Sequence, residues 1–240
     1  NNRGGWAKLE FSKTEHLTSE GYFTYLKEFK GGHSLNAVAG YSYFEKNGEN
    51  FNAENYDFGV EGLKYWDLES GSYLTDGKAK MGSKKDITER LFALYARANY
   101  SYNDKYMVTA TIRHEGSSKF AAENRWGNFW ALSGGWRVSG EEFMKEFDWV
   151  NDLKIRFGYG VTGNNDFDAS YMANTLSRDQ YWMLPSGSWA FVYGPSSNVN
   201  PYLGWEEKKE WNIGVDYSFF GNRMYGKFDY YRRKIDGMIY

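Results

Sequence analysis

The sequence predicts an all-β fold, a wall of transmembrane antiparallel β-barrel, and three observations carry that prediction. First, aromatic residues make up 20% of the 240 residues, as 21 Tyr, 17 Phe and 10 Trp, beside 27 Gly. Aromatic side chains favour strands and glycine favours turns. Second, segment after segment alternates apolar and polar residues with a period of two, while helical spacing is nearly absent. Third, short and long connections alternate along the chain, which in an antiparallel meander puts tight turns on one rim and large loops on the other, the asymmetry of a transmembrane barrel with short periplasmic turns and long extracellular loops.

The alternation is clearest at Trp211, Ile213, Val215, Tyr217 and Phe219, which oppose Asn212, Gly214, Asp216 and Ser218. It recurs where Leu153, Ile155, Phe157, Tyr159 and Val161 oppose Lys154, Arg156, Gly158, Gly160 and Thr162. Leu94, Ala96, Ala98, Tyr100 and Tyr102 likewise oppose Tyr95, Arg97, Asn99 and Ser101, and the odd positions from Leu35 to Tyr43 oppose Asn36, Gly40 and Ser42. With weaker cases the period gives about nine strands, near residues 5–12, 21–30, 33–45, 87–103, 105–116, 125–138, 153–163, 206–220 and 223–238. Residues 140–152, with Phe143, Met144, Phe147 and Val150 at roughly helical spacing, predict a short helical connection.

The tight connections fall at Gly31 and Gly32, at Asp104, and at Gly221 and Asn222; the long ones span 46–86 and 164–205. Residues 13–20 and 117–124 are moderate and 139–152 intermediate. Trp126 and Trp136 share parity ten positions apart, which is about 33 Å of strand and roughly 25 Å of axial height at barrel tilt, the height of a lipid-facing band. Trp126, Trp136, Tyr100, Tyr102 and Tyr217 are therefore girdle candidates, with Tyr41, Tyr43 and Phe219 beside them; the alternative is only that tyrosines favour strands. An antiparallel barrel usually needs an even strand count to close, and unpaired backbone in lipid costs several kcal/mol per group, so nine strands mean either a count off by one or, the preferred reading, an arc of a larger barrel.

Composition narrows the classes. With 29 Lys+Arg against 31 Asp+Glu and a net charge of -2, no nucleic-acid partner is expected. Zero Cys removes disulfides, cysteine zinc sites and thiol catalysis. No apolar run approaches the length of a membrane helix, which leaves a strand-built membrane wall open. The first residues, from Asn1, lack the basic and apolar regions of a signal peptide, so the chain is expected to be processed or part of something longer.

Several stretches carry a family resemblance: NDKYMVTATIRHEGSSKF from Asn103 to Phe120, NRWGNFWALSGGWRVS from Asn124 to Ser139, NDLKIRFGYGVTGN from Asn151 to Asn164, NPYLGWEE from Asn200 to Glu207, and NIGVDYSFFGNR from Asn212 to Arg223 running into FDYYR from Phe228 to Arg232. Together they resemble the barrel of SusC/RagA-like TonB-dependent transporters, specifically from about residue 90 to 240 and compatibly before it. Glu115 stands where the family usually shows Asp, and Gly204 where Lys is usual. The resemblance implies part of an outer-membrane barrel of about 22 strands, in a multi-pass transporter that imports oligosaccharides or peptides. It also implies a SusD-like surface lipoprotein partner and the TonB complex as energy source. Nothing in the chain resembles the family's plug or TonB-contacting segment, so energy coupling is implied by the resemblance alone.

No catalytic residues are expected. His16, His33 and His114 are isolated from one another and from any Ser or Asp at a catalytic spacing. Asn164, Asn165, Asp166 and Asp168 make an oxygen-rich loop that could suit Ca²⁺, but it lacks the central Gly and terminal Glu of a calcium loop and reads better as a solvated turn leaving a strand. No cofactor and no metal are therefore expected. In the 164–205 loop, Tyr171, Tyr181, Trp182, Trp189, Phe191 and Tyr193 offer rings that either stack on substrate or pack the loop; Tyr181, Trp182, Trp189 and Tyr193 are the substrate-binding candidates. The 46–86 loop, with Phe51, Tyr56, Tyr65, Trp66 and Tyr73, raises the same pair of readings. Arg97, Arg137, Lys154, Arg156, Lys227, Asp229 and Arg233 are the lumen-lining candidates, either along a solute path or as solvated wall positions. Gly134, Gly135, Gly158 and Gly160 have no helix after them and do not form a phosphate loop; they suit curvature and close packing inside the barrel. The competing classes are a passive porin or structural barrel and a soluble carbohydrate-binding β-protein.

Overall fold

The structure, a computed structural model, describes residues 5–59, 62, 64–167, 176–195, 200 and 202–238. Its strands are β1 (Trp6–Phe29), β2 (His33–Tyr56), β3 (Lys80–Lys85), β4 (Glu89–Tyr102), β5 (Tyr106–Ser117), β6 (Trp126–Arg137), β7 (Val150–Asn164), β8 (Leu176–Met183), β9 (Trp189–Pro195), β10 (Glu206–Phe219) and β11 (Met224–Asp236). The main sheet runs in the order β1-β2-β4-β5-β6-β7-β10-β11, with β3 paired to β2, and β8-β9 form a separate hairpin. Among the described residues no helix is long and apolar enough to cross a membrane. The chain divides into two compact units, one of Asn1–Leu17 and Glu45–Glu89, the other of Thr18–Phe44 and Arg90–Tyr240.

The larger unit is an antiparallel meander whose register keeps like residues together. Tyr100 faces Val108, Val108 faces Gly134, Gly134 faces Phe157, Phe157 faces Ile213, and Ile213 faces Tyr230. Because side chains alternate across a strand, these apolar positions share one face from β4 to β11. That face is bare: Phe157 is 51% exposed and Phe228 67%. A soluble sheet would bury such a face as its core; left open across six strands, it fits hydrocarbon.

At one rim the turns are short and need left-handed backbone. Asn103 (φ 49°) and Asp104 (φ 54°) reverse β4 into β5, and Phe220, Gly221 and Asn222, all at positive φ, reverse β10 into β11. Short polar side chains and glycine tolerate that region. Gly31 and Gly32 reverse β1 into β2 at φ 89° and 81°, and a Cβ on Gly32 would overlap the Asn103 side chain, whose backbone N–H donates to the Gly32 carbonyl at 2.7 Å. Two neighbouring turns are thereby packed backbone to backbone.

Burial in the larger unit gathers where the longer connections meet. Phe120, Phe129 and Phe167 are buried; ring centroids lie 5.2 Å apart for Phe120–Phe167, 4.9 Å for Phe120–Trp205 and 5.0 Å for Phe129–Trp205. The smaller unit has its own satellite core, in which Tyr56 packs on Trp6 and Tyr73, and buried Asn55 donates to the Leu68 and Gly71 carbonyls, both at 2.7 Å.

Four expectations change. The strands expected at 5–12 and 21–30 are one, β1, because the intervening residues 13–20 contain no Gly, Pro, Asn or Asp to break the run. β2 continues past residue 45 through Asn- and Gly-rich sequence because β3 supplies a partner from Glu49 to Glu54; pairing overrides weak propensity. The short helix expected at 140–152 is instead two single 3-10 turns, Val138–Gly140 and Glu142–Met144, after which β7 has begun by Val150. Among the described residues the wall therefore has eight strands in path plus the accessory β3, and β1 and β11 lie at the two ends of its order, so the sheet is open.

Candidate functional site

The face opposite the apolar one carries every lumen candidate. In register, Arg137, Lys154, Asp216 and Lys227 form one cross-strand row, and Gly135, Arg156, Gly214 and Asp229 the next. Arg156 donates from Nε and Nη2 to the Asp216 carboxylate at 2.9 and 2.8 Å, and from Nη2 to Asp229 Oδ1 at 2.8 Å. To reach Asp229 on β11 from β7 the guanidinium must pass over β10, and it passes over Gly214. A Cβ there would come within 2.5 Å of Asp229 Oδ1 and 2.6 Å of Arg156 Nη2. Arg137 donates to Asp152 at 2.8 Å, Arg233 to Glu210 at 2.7 Å, and Arg97 to Asn99 at 3.3 Å. Arg113, unremarked in the sequence, grips Glu115 with two hydrogen bonds of 2.7 and 2.8 Å and reaches Ser42. On the polar face Arg113, Arg137, Arg156 and Arg233 are thus held by carboxylates, which fixes the directions of their guanidiniums.

The girdle candidates stand near the strand ends on the apolar face. Trp126 opens β6 and stacks on His114 at 4.8 Å; Trp136 stands one residue before its end. At the tight-turn rim Tyr100 bonds His33 Nδ1 at 2.6 Å, Tyr102 stacks on His33, and Tyr217 stacks on Phe219. Glu141, in the 138–149 connection, gathers this rim: Tyr106 OH donates to it at 2.6 Å, Trp136 Nε1 at 3.0 Å and Lys105 Nζ at 3.4 Å. The Tyr106 hydroxyl first, then the Trp136 N–H, hold the Glu141 carboxyl below the ordinary glutamate value. Neither Glu141 nor Tyr106 stood out in the sequence; only an acidic residue beside a Tyr- and Trp-rich rim could have signalled them.

The rim-loop candidates separate. Tyr181 pairs with Phe191, their rings 4.4 Å apart, and Met183 with Trp189, so Tyr181, Met183, Trp189 and Phe191 share one face of the β8–β9 hairpin. Tyr193 has the parity of that face, whereas Trp182, opposite Ala190, lies on the other. All four substrate-binding candidates are exposed; Tyr171 lies outside the described residues. The loop ends are anchored at Phe167 and Trp205, whose Nε1 donates to the Arg125 carbonyl at 3.0 Å. In the 164–168 loop, Lys119 Nζ donates to the Asn165 and Phe167 carbonyls at 3.4 and 2.9 Å, and Asn164 Oδ1 accepts from the Asp166 N–H. An ammonium occupies oxygens that a calcium ion would need, and Asp168 lies outside the described residues. Among the described residues no three His, Asp or Glu side chains gather as metal ligands.

A wall with one apolar exposed face and one ion-paired face, tight turns at one rim and aromatic loops at the other, defines the class of transmembrane β-barrel walls. The chain belongs to the TonB dependent receptor-like β-barrel family, whose model matches residues 2–240. It is 34% identical over 232 residues to TonB-dependent receptor P39 of Formosa agariphila, covering 92% of this chain and 20% of that protein. It is 33% identical over 166 residues to TonB-dependent receptor SusC of Bacteroides thetaiotaomicron, covering 68% of this chain and 17% of that protein. In fold it is similar to the RagAB peptide importer in its closed-closed state, with TM-score 0.77, 24% identity, and coverage of 97% of this chain and 24% of that one. The chain therefore spans about a fifth of the length of these curated relatives. The family is one of outer-membrane receptors and transporters, not of enzymes.

Proposed function

We propose that this chain forms part of the barrel wall of a SusC/RagA-type importer, driven through TonB, which takes up oligosaccharides or peptides with a SusD-like surface lipoprotein. The observation that carries the reading is the two-faced wall: Phe157, Ile213 and Phe228 on a bare apolar face, Arg156 bound to Asp216 and Asp229 on the other. The apolar face is the one for outer-membrane lipid, between Trp126 and a turn-rim belt of Tyr100, Tyr102, Trp136 and Tyr217. Arg97, Arg137, Lys154, Arg156, Lys227 and Asp229 line the lumen. The ion pairs keep that surface polar and its side chains in place beside a passing solute or a plug. Tyr181, Trp189 and Tyr193, on one hairpin face, offer rings for sugar faces or peptide side chains.

The test is uptake of labelled oligosaccharides and peptides by cells carrying the full-length protein. The reading predicts uptake that stops when TonB is deleted or the proton-motive force is collapsed. Flux that persists without either would make the protein a passive porin.

A further inference from the structure

We infer that the apolar face carries a phospholipid site: a groove on β1, β2, β4 and β5 that seats one acyl chain of an inner-leaflet glycerophospholipid, with its phosphate held at Lys27. The inference rests on the outer-membrane reading above. The groove, about 630 Å³, has a floor of Ala39, Ala96, Ala98 and Ala110 and walls at Phe23 and Ile112. Ala98 faces Ala110 and Ala96 faces Ile112 across β4 and β5, so small residues on adjacent strands fall at one height. Toward the turn rim on β4 and β5 stand Tyr100, Tyr102 and Tyr106, and away from it Leu94. Large neighbours around an alanine floor make a hollow in the wall instead of an even surface.

Such a hollow in hydrocarbon has no hydrophobic drive to fill, since lipid tails are as apolar as the protein. What holds a particular chain there is dispersion against walls on several sides, which a convex barrel surface elsewhere does not offer. The second observation is charge. Lys27 lies two residues beyond Tyr25, which also lines the groove, so it has the same parity on β1 and stands nearer the turn rim. Its Nζ sits 5.4 Å from the Phe29 ring centroid, and among the described residues it has no carboxylate partner. Lys30 follows in the turn, while Glu28 has the opposite parity. A cation at the interface below an apolar groove matches a lipid with its phosphate at the turn rim and its acyl chain running into the wall. A second barrel fits less well, because two convex walls leave such a hollow unfilled.

The test uses the full-length protein extracted from outer membranes in mild detergent, with native mass spectrometry and a phosphorus assay to count retained phospholipid. The expected result is about one phospholipid per protein, reduced at least fivefold in Ala98→Phe and severalfold in Lys27→Gln, and unchanged in Val215→Phe elsewhere on the same face. Should Ala98→Phe fail to insert, Lys27→Gln still decides, since it leaves the wall packing intact. Equal lipid in all variants, retention of lipopolysaccharide alone, or a lipid-free dimer that crosslinks through Ala98→Cys would overturn the inference. A protein absent from the outer membrane would overturn the reading it rests on instead.

Discussion

At the scale of single residues, Gly214 and Arg156 order the polar face and Glu141 ties the turn rim. Gly214 is required because Arg156 crosses β10 there to reach Asp229. Gly214→Val should break that crossing and force side-chain movement, costing about 1–3 kcal/mol. Asp229→Asn, on a half-exposed pair, should cost less than about 1 kcal/mol; urea unfolding in detergent or bilayers would rank the two, and an equal or reversed ranking would contradict the role assigned to Gly214. For Glu141 the sign follows from its lowered carboxyl pKa. A carboxyl held below its unfolded value stabilises fully above that value, and the contribution is lost as pH falls through the folded one. Acidification to below the ordinary glutamate range should release Tyr106 and Trp136, seen as a change in tryptophan emission that Glu141→Gln abolishes. The alternation of Lys154, Ile155, Arg156 and Phe157 was legible in the sequence because it is local. The Arg156–Asp229 contact was not, because it joins residues far apart in the chain through a register that only the folded sheet sets.

At the scale of elements, strands are legible wherever period and turn chemistry agree, as in β4, β7 and β10, whose apolar faces read from single segments. They were misread where the two disagreed. Residues 13–20 read as a connection although no breaking residue lies in them, and β2 beyond residue 45 reads as a loop because Asn47, Gly48, Asn50 and Asn52 carry turn chemistry, while β3 pairs the strand from Glu49 to Glu54. The β8–β9 hairpin reads as part of a long loop, and its aromatics show in the sequence without their pairing. The anchor of Phe120, Phe129, Phe167 and Trp205 escaped because its members come from three connections and one strand. Two predictions belong to this scale. Ile155→Lys or Val215→Lys on the apolar face should cost about 2–4 kcal/mol of insertion, while Asn212→Lys on the polar face should cost much less; assembly into heat-resistant barrels reads the difference. Trp205→Ala should loosen the 164–205 connection, seen as faster proteolysis between 165 and 205 while the strands stay protected.

At the scale of the molecule, the order β1-β2-β4-β5-β6-β7-β10-β11 leaves an open sheet, as an arc of a larger barrel requires. With eight strands in path instead of nine, parity no longer argues for an arc; the separate ends of the order at β1 and β11 do. The central claim is that one face of this arc meets lipid and the other meets water. The segment contains no cysteine, so single cysteines can be placed along β7 of the full-length protein, freed of any others, and spin-labelled in outer membranes. The most direct measurement is collision with oxygen, which partitions into lipid, against collision with a water-soluble nickel chelate. Labels at 155, 157 and 159 should favour oxygen and labels at 154, 156 and 158 the chelate, a period of two along the strand; equal access on both faces, or the opposite phase, would contradict the account.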